Sequence, residues 1–126
     1  MDIQQVDTLV RSLYQAVDNK DVDYLSHALS EQNRFRLGNY PEVTDKTQIL
    51  EGNRQFFSSI EAMKHTIDNI VFQRSDQTDS THISCFGTVD YVRLDGSDHA
   101  AVFSTFLDVK NGLISDYRVF ADLSGL

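Results

Sequence analysis

Three side chains in this sequence are of the kind that moves protons: the carboxylate of Asp90, the imidazole of His65 and the phenol of Tyr14. A carboxylate carried from water into an apolar cavity has its charged form disfavoured, so its pKa rises and it becomes a usable base near neutrality. An imidazole could share that proton or polarise a carbonyl, and a phenol could donate to an oxygen on which negative charge develops. Each also has an ordinary structural role. At a rim Asp90 would be hydrated or ion-paired, and a histidine at a helix-to-strand junction anchors backbone groups. A tyrosine on the buried stripe of a helix packs and satisfies its own hydroxyl.

Other chemistries lack their residues. His27, His65, His82 and His99 show no pair one helical turn apart beside a carboxylate, so no metal site is expected. No glycine-rich phosphate loop follows a strand, and Ser124-Gly125 lacks the strand-to-helix elbow of a serine nucleophile. Cys85, the single cysteine, excludes an internal disulfide; with no cationic neighbour it reads as a small buried hydrophobe. Asp116, Arg118 and Asp122 alternate onto one strand face, opposite in parity to Tyr117 and Val119. They are expected to form ion pairs on the outer surface.

The elements that must position these groups follow from the hydrophobic period. Val6, Leu9, Val10, Leu13, Tyr14 and Val17 recur at three- and four-residue steps and predict a first helix, with Asp2 and Gln5 as a capping box and Asn19 as a left-handed stop. A second, shorter helix after Asp21 buries Val22, Leu25, Ala28 and Leu29, and a brief strand carries Phe35 and Leu37. Asp45 and Gln48 precede a third helix from about Lys46 to Met63, inside which Gly52 costs stability unless something packs close to it. From His65 the chain reads as four long strands, about His65–Ser75, Thr81–Leu94, His99–Val109 and Leu113–Leu123. Turns at Asp76–Ser80, Asp95-Gly96 and Asn111-Gly112 separate them. Helices first and strands last predict an α+β domain, residues 1–126, with three N-terminal helices packed on a strongly curved antiparallel β-sheet. Both faces of the His99–Val109 strand are apolar, and three helices cover one of them. The other is expected to be covered by a second copy, giving a homodimer through the sheet.

A formal net charge of −8 argues against nucleic acid as a partner. No apolar run approaches the ~20 residues that span a bilayer, and Met1–Gln5 has neither a basic flank nor an apolar core. No membrane association and a cytoplasmic location are therefore expected.

The order helix, helix, short strand, helix and four-stranded meander resembles the nuclear transport factor 2 (NTF2-like) superfamily. Leu13-Tyr14-Gln15-Ala16-Val17, the segment Phe56-Phe57 to Met63-Lys64-His65, and the ending Gly112-Leu113-Ile114, Asp116-Tyr117-Arg118-Val119-Phe120, Asp122 resemble its SnoaL-like branch. The resemblance implies a cone of curved sheet round the helices with an apolar cavity at one end. It covers isomerases, dehydratases, cyclases and epoxide hydrolases, and also domains that catalyse nothing. In the limonene epoxide hydrolase-like pattern, an Arg-x-Asp on the second long strand works with an Asp on the last. Thr88, Asp90 and Val119 stand at those places, so only the central carboxylate is retained. In the ketosteroid isomerase-like pattern, Gly38 or Asn39 and Ser104 occupy the acidic positions, while Tyr14 falls near that family's helix-one tyrosine.

By the epoxide-hydrolase resemblance the parity of Ser84, Phe86, Thr88 and Asp90 faces inward. The expected reading is then a cofactor-free proton-transfer site on a small apolar organic ligand. Asp90 is its base, Tyr14 or His65 holds the developing oxyanion, and Phe57, Phe86, Thr88, Ser104, Tyr117 and Val119 line the cavity. The alternative is a cone that binds a ligand without chemistry, or one plugged by Phe57, Phe86 and Phe106 in a pure association domain.

Overall fold

Val6, Val10, Leu13, Tyr14 and Val17 form the buried stripe of α1 (Ile3–Asp18) in the computed structural model, which describes residues 1–126. The capping box is formed: Asp2 Oδ1 accepts from the Gln5 backbone N–H at 2.8 Å and Gln5 Oε1 from that of Asp2 at 2.9 Å. Asn19 is not left-handed (φ −85°); the reversal falls one residue later, at Lys20 (φ 57°). Its ammonium then donates to the carbonyls of Ile60 and Glu61 at 2.7 and 3.0 Å, tying the end of α1 to the sheet. Asp21 caps α2 (Val22–Ala28) through the Tyr24 N–H. Leu29, expected on that helix, instead opens β1 (Leu29–Leu37), which is longer than the brief strand predicted from Phe35 and Leu37.

A short β2 (Val43–Asp45), absent from the sequence reading, leads into α3 (Lys46–Ser58). This helix stops before Met63 because Ile60 already pairs with Arg93, and Ile60 and Met63 are buried as strand residues; burial in the sheet overrides the helical period. Gly52 lies inside α3, where glycine costs roughly 1 kcal/mol relative to alanine. Nothing packs within 4 Å of the place its Cβ would take.

The strands β3 (Ile60–Arg74), β4 (Ser80–Arg93), β5 (Asp98–Lys110) and β6 (Leu113–Ala121) form the expected meander. The six strands run in the order β2-β1-β6-β5-β4-β3, antiparallel except for the parallel β1–β6 pair. Asn111 (φ 53°) and Gly112 (φ 76°) supply the two positive φ values of a tight hairpin. A bulge between Ile67 and Asn69 bends β3, and there Gly87 of β4 lies so close that a Cβ would stand 1.8 Å from the Thr66 carbonyl oxygen.

The three helices cover one face of this sheet, and the parity facing them is the reverse of the one expected. Thr81, Ile83, Cys85, Val89 and Tyr91 of β4 are buried, as are Phe103, Thr105, Leu107 and Val109 of β5. Asp90, Phe86 and Thr88 are exposed on the outer face, and Ser104 sits between Phe86 and Phe120 on that same face. A strand has period two, so one slip in parity exchanges every residue; Ile83, Cys85, Val89 and Tyr91 are the more apolar set and take the core. On β6 Tyr117, Val119 and Arg118 take the expected sides, but Asp116 is buried beneath its arginines and Asp122 lies beyond the strand, accepting from Ser124 in place of an ion pair. Tyr117 and Val119 point inward, while Asp116 is held by Arg34 at 2.8 Å and Arg118 at 3.0 Å, with Glu42 bonded to Arg118 at 3.1 Å. No helix is long and apolar enough to cross a membrane.

Candidate active site

Where α1 ends against β3, Asp18 and His65 meet. An acidic residue in the last turn of a helix is disfavoured by the helix dipole, so its carboxylate needs donors from elsewhere. His65 supplies both. Its backbone N–H donates to Asp18 Oδ2 and Oδ1 at 3.0 and 3.2 Å, and Nδ1 lies 2.6 Å from Oδ1. A carboxylate offers only lone pairs, so Nδ1 carries a proton, and whenever the ring holds a single proton Nε2 keeps an acceptor lone pair. No protein group bonds to Nε2, and the imidazole is 5% exposed. The Tyr14 ring packs on it at 4.5 Å between centroids, and Phe103 meets it edge-on at 4.9 Å.

His65, Tyr14, Tyr91, Tyr117 and Asn53, with Phe57 and Val119 among the apolar walls, line a chamber of about 30 Å³. That is room for a water molecule or two. Tyr14 shares a hydrogen bond with Thr105, both buried. Burial pushes the Tyr14 phenol well above its ordinary value, with the Tyr117 phenol adding to the effect. Tyr117 is raised by burial as well, and Tyr91 is pushed up to about 12 by burial, with the Asp18 charge contributing. All three stay neutral and able to donate near pH 7.

Outside the chamber lies a vestibule of about 360 Å³. Phe35, Leu37, Tyr40, Pro41 and Val43 form one wall and the α3 face of Gln48, Gly52, Gln55, Phe56 and Ser59 the other; none of its lining residues is charged. Phe35, Leu37 and Phe56 line both spaces and so form the partition between them. Phe56 stands edge-on to Tyr91 at 6.2 Å and Phe35 edge-on to Tyr117 at 5.2 Å. On the far side of the pair, Asp18 and His65 also border an outer groove with Arg11 and Lys64. A wider, open groove of about 930 Å³ between the start of α1 and the β3–β4 turn is lined mainly by hydroxyl and amide side chains and contains no histidine.

Of the residues read from sequence, Tyr14, His65, Phe57, Tyr117 and Val119 come together round the chamber. Asp90, Phe86, Thr88 and Ser104 do not, for the reason of strand parity given above. Asp18 was missed; an acid closing a helix whose last turn holds no base is the signal that could have found it. Tyr91, Asn53 and Phe56 were missed because their facing depends on the true parity of β4 and on where α3 ends. No group of three or more His, Cys, Asp or Glu side chains converges anywhere in the chain.

No family model and no curated protein matches the chain by sequence. Solved structures match it closely in shape. A protein assigned as a dehydratase of the NTF2-like family from Streptomyces avermitilis superimposes with a TM-score of 0.85 at 10% identity, over 96% of each chain. One assigned as a SnoaL-like polyketide cyclase from Jannaschia sp. CCS1 gives 0.76 at 15% identity, over 97% of this chain and 88% of the other. An LEH-like epoxide hydrolase from M. tuberculosis gives 0.75 at 14% identity, over 96% and 85%. The chain has the fold that SnoaL-like and NTF2-like proteins share.

Proposed function

We propose that this chain catalyses cofactor-independent proton transfer on a small, uncharged organic molecule, in the class of isomerisation, dehydration, cyclisation or water addition. The observation that carries the reading is the Asp18–His65 pair, with an unpartnered Nε2 on a ring that lines a tyrosine-walled chamber. His65 Nε2 takes the proton from the ligand, Asp18 positions the ring and offsets the imidazolium charge, and the imidazolium returns the proton at a second atom. Neutral phenols of Tyr14, Tyr91 and Tyr117 surround the chamber and could hold an oxyanion as it forms. The names given to the structural neighbours, a dehydratase, a cyclase and an epoxide hydrolase, support this class.

The rival reading, a binding module without chemistry, draws on the small chamber: about 30 Å³ admits no organic molecule unless the Phe56 partition moves. Deuterium exchange separates the two. Incubated in D2O with a panel of uncharged aryl ketones, 2-tetralone among them, the protein should accelerate exchange at the α-carbon. His65→Gln should abolish the effect and Asp90→Asn should leave it intact. No acceleration across the panel, or acceleration that survives His65→Gln, overturns the proposal.

We place a second copy of the chain on the outer face of the sheet. That face exposes Val102 (75%), Val71 (57%), Phe86 (52%) and Phe120 (52%), an apolar patch that a soluble monomer seldom leaves open. Light scattering should give twice the chain mass, reduced to a monomer by Val102→Lys with Phe86→Lys; a monomeric wild type would refute it. The reducing cytoplasm suits Cys85, a buried thiol whose pKa is raised to about 11 by burial.

A further inference from the structure

Gly52 has neither of the usual reasons to be glycine. It is not among the positive-φ residues, so an ordinary side chain fits its backbone. No neighbour approaches within 4 Å of its would-be Cβ, in contrast to Gly87 against Thr66. What the missing side chain does is leave open space in the vestibule wall. Gln48, Gly52, Gln55, Phe56 and Ser59, at steps of four, three, one and three, share one face of α3. The charged residues of the helix lie off it: Glu51 and Arg54 pair with each other at 2.7 Å, and Lys46 bonds to the Leu29 carbonyl and Glu31. In a chain that is 24% charged, an opening with no charged lining selects against ionic ligands, since a charge buried there would find no partner.

We propose that the vestibule takes a planar, uncharged ring system lying flat against the bare α3 backbone at Gly52, and that Gly52 sets the width of molecule admitted. The inference deepens the proton-transfer reading of the same site and rests on it. Rings at Phe35, Tyr40 and Phe56 offer edges and faces to an aromatic ligand, and the Gln48 and Gln55 amides and the Tyr40 hydroxyl can hold its polar substituents. The fold bears a helix-weakening residue where room for a ligand is needed, the trade expected of a functional position.

The test uses 2-naphthol and its anionic counterpart 2-naphthoate, followed by fluorescence and by NMR shifts of vestibule residues, with thermal unfolding alongside. Wild type should bind 2-naphthol at least tenfold more tightly than 2-naphthoate. Gly52→Leu, which projects a branched side chain into the vestibule, should weaken 2-naphthol at least tenfold, and Gly52→Ala, whose Cβ meets nothing within 4 Å, should raise Tm while also weakening binding. Wild type that does not bind 2-naphthol, that binds both probes equally, or whose binding survives Gly52→Leu overturns the inference. The proton-transfer reading is judged separately, by exchange in His65→Gln, so a failure of one is distinguished from a failure of the other.

Discussion

Asp18→Asn is the perturbation that most directly interrogates the site, because it preserves shape and reverses one hydrogen bond. In the native pair the carboxylate accepts from both the His65 backbone N–H and Nδ1–H, at 3.0 and 2.6 Å. An asparagine has one acceptor oxygen, and the backbone N–H is an obligate donor. With its oxygen in the place of Oδ2, 3.0 Å from the backbone N–H, its amide NH2 takes the place of Oδ1 and faces Nδ1. The imidazole then moves its proton to Nε2, and the lone pair the reaction needs is lost. Exchanging a charge-assisted hydrogen bond for a neutral one costs about 1–2 kcal/mol, which for a chain of this length lowers Tm by roughly 3–8 °C. Turnover should fall by about 10³–10⁴, the scale on which wrong-tautomer variants of catalytic histidines fail. The decisive assay needs no substrate: 15N NMR of the His65 ring should report Nδ1–H in wild type and Nε2–H in the variant. A second readout is Tyr91. Its value of about 12 includes a contribution from the Asp18 charge, so it should drop in Asp18→Asn, yet stay above 10.0 because burial is the larger cause. An Nε2–H tautomer in the wild type, or the same tautomer in both proteins, would refute the reasoning.

Gly87→Ala would place a methyl group 1.8 Å from the Thr66 carbonyl oxygen, backbone against backbone, and should cost at least about 3 kcal/mol in denaturant unfolding; a wild-type midpoint would contradict the β3–β4 approach. Tyr14→Phe and Thr105→Val each leave one buried hydroxyl without its partner and should cost about 1–3 kcal/mol singly. The double variant should be less destabilised than their sum, and strict additivity would show that the two hydroxyls do not pair. Alkaline pH should destabilise the fold. A tyrosine whose folded pKa is raised contributes stability that is complete below its unfolded value near 10 and is lost as pH rises through the folded value. Tyr91, raised to about 12, accounts for roughly 1 kcal/mol between pH 10 and 11, with Tyr14 and Tyr117 adding in the same direction. Denaturation at stepped pH, with phenolate absorbance, measures this; constant stability to pH 11.5 would contradict the burial of these phenols.

The sequence alone determined the order of the three helices, the first strand and the four-stranded meander, though not β2 or the end of α3. Apolar residues at helical steps, the Asp2–Gln5 capping box, the Asp21 and Asp45 caps, and the Asp95-Gly96 and Asn111-Gly112 turns are local signals whose physics plays out within a few residues. Tyr14, His65, Phe57, Tyr117 and Val119 were legible as inward-facing residues because each lies on a face that its own element defines, and they line the chamber. The parity of β4 was not local: Phe86, Thr88 and Asp90 form a plausible inner row, and only burial of Ile83, Cys85, Val89 and Tyr91 against the helices, with Gly87 pressed on the β3 bulge, turned them outward. Asp18 became the partner of His65 for the same reason. The two are 47 residues apart, and their meeting depends on how the end of α1 lands on β3, a contact made by the packed core. Sequence sets periods and caps because those are short-range; which face is buried and which distant groups touch is decided by the tertiary arrangement, which minimises exposed apolar surface for the chain as a whole.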